Sequence, residues 1–114
     1  MAEVAPVTGE PVVVKWGSSA FIGTGLEAML RGAGHDALVI VGGEANMCVE
    51  STTRMAGNLG FQTQVVADAL VNFARRRRDG GVVPPQDVLD MSLAHLRACA
   101  RIVDSAEVLA DLAR

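Results

Sequence analysis

Two rhythms of apolar and polar positions alternate along this chain. Short continuous apolar runs, Val12-Val13-Val14 and Ala37-Leu38-Val39-Ile40-Val41, read as buried strands, as do residues 62–67 and 101–103. Between them, apolar residues recur at helical spacing. Leu26, Met29, Leu30 and Ala33 form one such face, started by Thr24 with Glu27 three residues on as a capping box, and stopped at Gly32 and Gly34. Residues 46–59 form a second helix, with Val49, Thr52, Ala56 and Leu59 on its inner face, Asn46 as N-cap and Gly60 as C-cap. Pro84-Pro85 announces a third over residues 86–100, striped by Leu89, Leu93, Leu96 and Ala100. Ser105 is placed to cap a last helix over residues 106–112. Residues 1–10 form an irregular lead-in, and residues 70–83 a loop or short helix.

Strands and helices thus alternate four times. The strands are unbroken apolar runs, as expected when both sheet faces are covered. The pattern predicts a parallel α/β sheet of about four strands in one domain over residues 1–114, with no internal repeat or linker.

Composition narrows the setting. No apolar run approaches the roughly 20 residues of a membrane-spanning helix. The opening Met1-Ala2-Glu3-Val4 lacks the basic and apolar regions of a signal peptide, so a cytoplasmic location is expected, with no membrane partner. Net charge is −3, and the one basic cluster is Arg75-Arg76-Arg77-Arg78. Without a second basic stripe or interleaved aromatics, it reads as a solvated loop rather than a nucleic-acid surface.

Three polar residues fall at carboxyl ends of expected strands, where active sites of parallel sheets gather: Lys15, Cys48 and Asp68. Cys48 stands just past a buried strand, in the first turn of a helix. Unpaired N–H groups and the helix dipole stabilise a thiolate there, and a nearby ammonium would add to this. On these residues alone, a buried, inert Cys48 and a lysine reaching for solvent stay open as alternatives. Asp68 reads as a cap or a ligand for loop backbone. Cys99 reads as a structural thiol, His35 as solvent-facing and His95 as a helix-edge residue. No His, Cys or Asp cluster has metal-ligand spacing, so no metal is expected. Gly23-Thr24-Gly25 follows a loop rather than a strand and is a weak nucleotide signal.

Residues 14–26, Val-Lys-Trp-Gly-Ser-Ser-Ala-Phe-Ile-Gly-Thr-Gly-Leu, resemble the lysine motif of the isochorismatase-like cysteine hydrolases. Residues 42–53 resemble that family's nucleophile motif, a glycine followed by Cys-Val and a Ser/Thr-rich helix. Residues 60–69, ending in an Asp-Ala pair, and residues 87–109 resemble the elements that follow. The ordered set covers nearly the whole chain. The resemblance implies a Rossmann-like three-layer α/β/α fold with helices on both faces. It makes Cys48 the nucleophile and Lys15 its partner. It implies a cis peptide at Gly43-Glu44, with the N–H groups of Glu44 and Cys48 forming an oxyanion hole. Ala45 stands where many relatives have Thr. Trp16, Phe21, Asn46 and Phe73 are candidates to line a pocket, and core packing explains the aromatic ones equally well.

One expected element has no match. The family's aspartate ends a strand well before the lysine motif, and only Glu3 and Glu10 supply acids ahead of Lys15. The chain therefore resembles the C-terminal portion of the domain. The resemblance implies hydrolysis of a small amide or related C–N bond through a thioester, with no cofactor, and slow or absent turnover by this chain alone. The missing carboxylate would come from a partner subunit of a homo-oligomer, a separate chain, or sequence ahead of an internal Met taken as the start. The competing account is a non-catalytic module or oligomerisation remnant of the same fold.

Overall fold

The computed structural model describes residues 2–114. Three strands form one parallel sheet in the order β1-β2-β5: β1 is Ala37–Gly43, β2 Gln62–Val71 and β5 Arg101–Val103. A two-residue antiparallel hairpin, β3 (Arg75–Arg76) and β4 (Val82–Val83), stands apart from it. The helices are α1 (Leu26–Gly32), α2 (Glu50–Asn58), α3 (Pro85–Leu96) and α4 (Ser105–Leu112).

The parallel α/β class is as the sequence predicts, with three strands in the sheet rather than four. Val12–Val14 forms no strand, and Val12 and Val14 are exposed. A β-branched run becomes a strand only where a neighbour offers a ladder. Here the following loop is tied to α2 by side chains instead, which fixes the segment without one.

The core lies between the sheet and α2 and α3. Val49, Val65 and Leu96 form one buried cluster, flanked by Ile40, Leu70, Leu93 and Ile102. Phe21, Ala56 and Phe61 form a second, with Leu26, Leu30 and Leu38 against it. Ala45, Val49, Thr53 and Ala56 are the buried positions of the continuous helical stretch, so its inner face passes through Thr53 rather than Thr52. At the helix end Gly60 takes φ +89°, and the Gly60 and Phe61 N–H groups donate to the Gly57 and Ala56 carbonyls. This left-handed turn caps the helix and swings Phe61 back onto Ala56.

Several expected caps are replaced. Thr24 Oγ1 donates to the Ala20 carbonyl at 2.5 Å, and α1 starts without a side-chain cap. Asn46 lies inside a π-helical turn, Ala45–Val49, whose N-cap is Glu44. Asp104, not Ser105, is the N-cap of α4, and its N–H donates to Glu107 Oε1 at 3.2 Å. The stretch expected as loop or helix holds the hairpin.

β1 alternates strictly. Leu38 and Ile40 turn toward the core, while Val39 and Val41 on the other face are 51% and 56% exposed. Among the described residues, β1 has a strand partner on one edge only. On β2, Val66 is buried opposite Val65, and Asp68, two residues on, reaches α4.

Asp68 accepts the Ser105 Oγ–H at 2.5 Å and the Ser105 backbone N–H at 2.8 Å. These two bonds hold its carboxyl below its ordinary value of 3.8. The folded state therefore favours the carboxylate. Its contribution to stability is complete above the ordinary value and fades as pH falls through the lower folded one. Denaturant unfolding should show wild type more stable than Asp68→Asn at pH 7, with the gap closing well below pH 3.8. A gap that persists unchanged in acid would contradict this.

Candidate active site

The turn that carries Cys48 begins where β1 stops. A Cβ on Gly43 would lie 3.2 Å from Val71 Cβ and 3.3 Å from the Val71 carbonyl oxygen, so any side chain there would have to push Val71 back by a few tenths of an ångström. The Gly43-Glu44 peptide is cis. The chain then winds into the π-helical turn, in which Met47 and Val49 N–H groups both donate to the Glu44 carbonyl at 3.1 Å. Cys48 sits between those two donors, on the turn that feeds α2.

Lys15 reaches this turn from a segment 33 residues earlier. Its Nζ lies 3.2 Å from Cys48 Sγ and donates to the Gly17 carbonyl at 2.8 Å. Two contacts hold the lysine loop to α2: Ser18 Oγ donates to Ser51 Oγ at 2.8 Å, and the Ala20 N–H donates to Thr52 Oγ1 at 2.9 Å. Phe21 then anchors the loop by stacking on Phe61, with ring centroids 5.7 Å apart. An ammonium at this distance attracts an ionised sulfur, and the partly buried setting screens that attraction less than open water would.

The sulfur borders a cleft of about 180 Å³ lined by Ala20, Ile40, Val41, Gly43, Cys48, Val49 and Thr52. Larger hollows lie elsewhere, including one of about 460 Å³ between the nucleophile turn and α3, but the thiol lines none of them. The chemistry, not the size, singles out the small one.

The structure thus brings Lys15, Gly43, Glu44 and Cys48 together. The pocket candidates scatter. Phe21 is in the core, Trp16 is 93% exposed, Phe73 is exposed, and Asn46 lines the larger hollow by α3. Asp68 is committed to Ser105. Cys99 packs against Gly57 and donates to the Leu96 carbonyl at 3.6 Å, and both cysteines are free thiols. Among the described residues, no group of three or more His, Cys, Asp or Glu could hold a metal.

Sequence reasoning missed four contributors: Ser18, Ser51, Thr52 and Arg75. The first three sit inside motifs whose periodicity reports burial, not hydrogen bonding. Arg75 is not part of a solvated loop. It stands in β3, half-buried, and its Nη2 pairs with Glu44 Oε1. The Asp79-Gly80 step before Val82-Val83 is the hairpin signal that could have placed it. Arg76, Arg77 and Arg78 are exposed, as expected.

Comparison with known proteins identifies the family. The sequence model of the Isochorismatase domain matches residues 1–107. The chain belongs to the isochorismatase family. It is 38% identical over 93 residues to the isochorismatase family protein YrdC of Bacillus subtilis, covering 82% of this chain and 50% of that protein. An isochorismatase-family structure from Chromobacterium violaceum superposes with a TM-score of 0.95 at 43% identity, over 99% of this chain and 59% of that one. A cysteine hydrolase structure from Pseudomonas syringae pv. phaseolicola gives 0.89 at 26% identity, over 95% and 51%. The chain therefore spans about half the length of the relatives it matches. No helix among the described residues is long and apolar enough to cross a membrane.

The Ala20–Thr52 bond is the backbone's tie to α2, and its loss should be local. Thr52→Val should speed amide hydrogen exchange at Ala20 about tenfold, the scale of one net hydrogen bond, and leave Val65 unchanged. Equal protection of Ala20 in both proteins would show that the tie does not hold the loop.

Proposed function

We propose that this chain carries the nucleophilic centre of a cysteine hydrolase that cleaves a small amide or related C–N bond. The carrying observation is the 3.2 Å approach of Lys15 Nζ to Cys48 Sγ at a strand–helix crossover. The likeness to a cysteine hydrolase structure supports the same reading.

In this reaction the Cys48 thiolate attacks the carbonyl carbon, and the N–H groups of Glu44 and Cys48 receive the developing oxyanion. Collapse expels the amine, which takes a proton from an acid. Water, deprotonated by the same group, then attacks the thioester and releases the carboxylic acid and the thiolate. The Lys15 ammonium faces the sulfur's negative charge before attack and after release. Loss of one oxyanion donor costs about 10²–10³ in rate in enzymes of this kind.

The acid–base group has no candidate on Cys48 or Lys15. Their hydrogen-bond partners are each other and the Gly17 carbonyl. The neighbouring carboxylates are engaged elsewhere: Glu44 with Arg75, and Glu50 with Arg54 and His95. We assign that role to a carboxylate outside residues 1–114, on an upstream segment, a second copy or a separate chain. The free edge of β1 and the bare valines Val39 and Val41 favour such an association. Without it, turnover by residues 1–114 is slow. A non-catalytic module built for the same association is the second reading, and it shares these exposed features but needs no reactive thiol.

Alkylation separates the two. In the full chain at pH 7, iodoacetamide should modify Cys48 at least about tenfold faster than Cys99, read by peptide mass spectrometry, and Lys15→Met should remove most of that advantage. Equal, slow rates at both cysteines would favour the non-catalytic module.

A further inference from the structure

Glu44 is the hub of the nucleophile turn. Its carbonyl accepts the Met47 and Val49 N–H groups, which flank Cys48, and its own N–H is the residue's share of the oxyanion hole in the reading above. Its side chain carries a negative charge into this position, four residues before the sulfur. That charge opposes both an ionised sulfur and a developing oxyanion, because like charges at close quarters disfavour each other.

One cation answers it. Arg75, 31 residues further along, brings its Nη2 to Glu44 Oε1. The hairpin that carries it is closed independently of the sheet. Arg75 and Arg76 pair with Val83 and Val82, the Arg77 N–H donates to the Gly81 carbonyl, and Asp79 Oδ1 accepts the Gly81 N–H. Its base is tied to α3 by the Asn72 side chain, whose Nδ2 donates to the Pro85 carbonyl at 2.6 Å. Arg76, Arg77 and Arg78 are all exposed, and only Arg75 turns inward.

We infer that Arg75 is a positioning residue for the nucleophile turn: it holds the Glu44 side chain and cancels its charge, so that the local field around Cys48 is set by Lys15. The inference rests on the cysteine-hydrolase reading but concerns a pair that the reading does not use. Arg75 touches neither the sulfur nor the cleft that the sulfur borders. Its action runs through Glu44.

A charge-balancing role has a signature that a mere strut lacks. Arg75→Gln leaves Glu44 unbalanced, so it should slow Cys48 alkylation by iodoacetamide at pH 7 about threefold, the size expected of a half-exposed ion pair. Glu44→Gln combined with Arg75→Gln removes both charges and should restore the rate to within about twofold of wild type. Arg75→Lys keeps the charge and should retain most of the rate. All are measured on the full chain, with circular dichroism confirming the fold; where Arg75→Gln alone fails to fold, the double variant and Arg75→Lys still decide. An unchanged rate in Arg75→Gln, or a double variant no faster than Arg75→Gln alone, would overturn the assignment. The ratios between variants test Arg75, whereas the wild-type rate of Cys48 against Cys99 tests the hydrolase reading, so the two can fail separately.

Discussion

An ammonium–sulfur contact joins two parts of this chain that share no backbone ladder. Lys15 arrives on a segment outside the sheet, and Cys48 on the turn that ends β1. What makes the contact possible is a set of short polar ties between the lysine loop and α2. Ser18 with Ser51 and Ala20 with Thr52 fix the loop at two successive points, and Phe21 inserts into the core beside Phe61. The Ser/Thr run on the first turns of α2 is therefore a docking strip. It lies beside the buried face that Val49, Thr53 and Ala56 turn toward the sheet.

Charges around the turn are arranged in two pairs. Lys15 faces Cys48 on the side of the cleft, and Arg75 faces Glu44 on the side of the hairpin. The pairs share one short length of backbone, since the Glu44 carbonyl receives the amides on both sides of Cys48. Burial is partial at each group, so each Coulomb attraction is moderate. Their value is directional: each cation stands opposite one anion and leaves the others alone. This arrangement suits a thiolate nucleophile, whose charge must persist until attack and return at release.

Much of this was legible in the residues. β1, β2, β5 and the long helix after Cys48 follow from apolar runs and 3.6-residue periodicity, because burial drives both. Gly60 as a helix stop follows from its freedom at positive φ. The placing of Lys15 beside Cys48 came from motif order, not from periodicity, which left an inert thiol open. Val12–Val14 shows the opposite failure. Composition reports the fitness of a segment for a ladder and is blind to whether a neighbouring edge is in reach. Caps failed for a related reason: Thr24, Asn46 and Ser105 all have capping chemistry, but the N-cap positions fall at Gly25, Glu44 and Asp104 instead. Arg75 was hidden by its companions: four consecutive arginines read as one solvated patch, and only the strand alternation of a short hairpin turns the first of them inward.

The central proposal is that the Lys15 ammonium, 3.2 Å from Cys48 Sγ, stabilises negative charge on that sulfur. Thiolate ultraviolet absorbance measures that directly. It should be recorded at pH 7 in a Cys99→Ser background, with Lys15 present and replaced by Met. A thiolate signal with lysine that is largely lost with methionine is the predicted result. The same absorbance from both proteins would contradict the account.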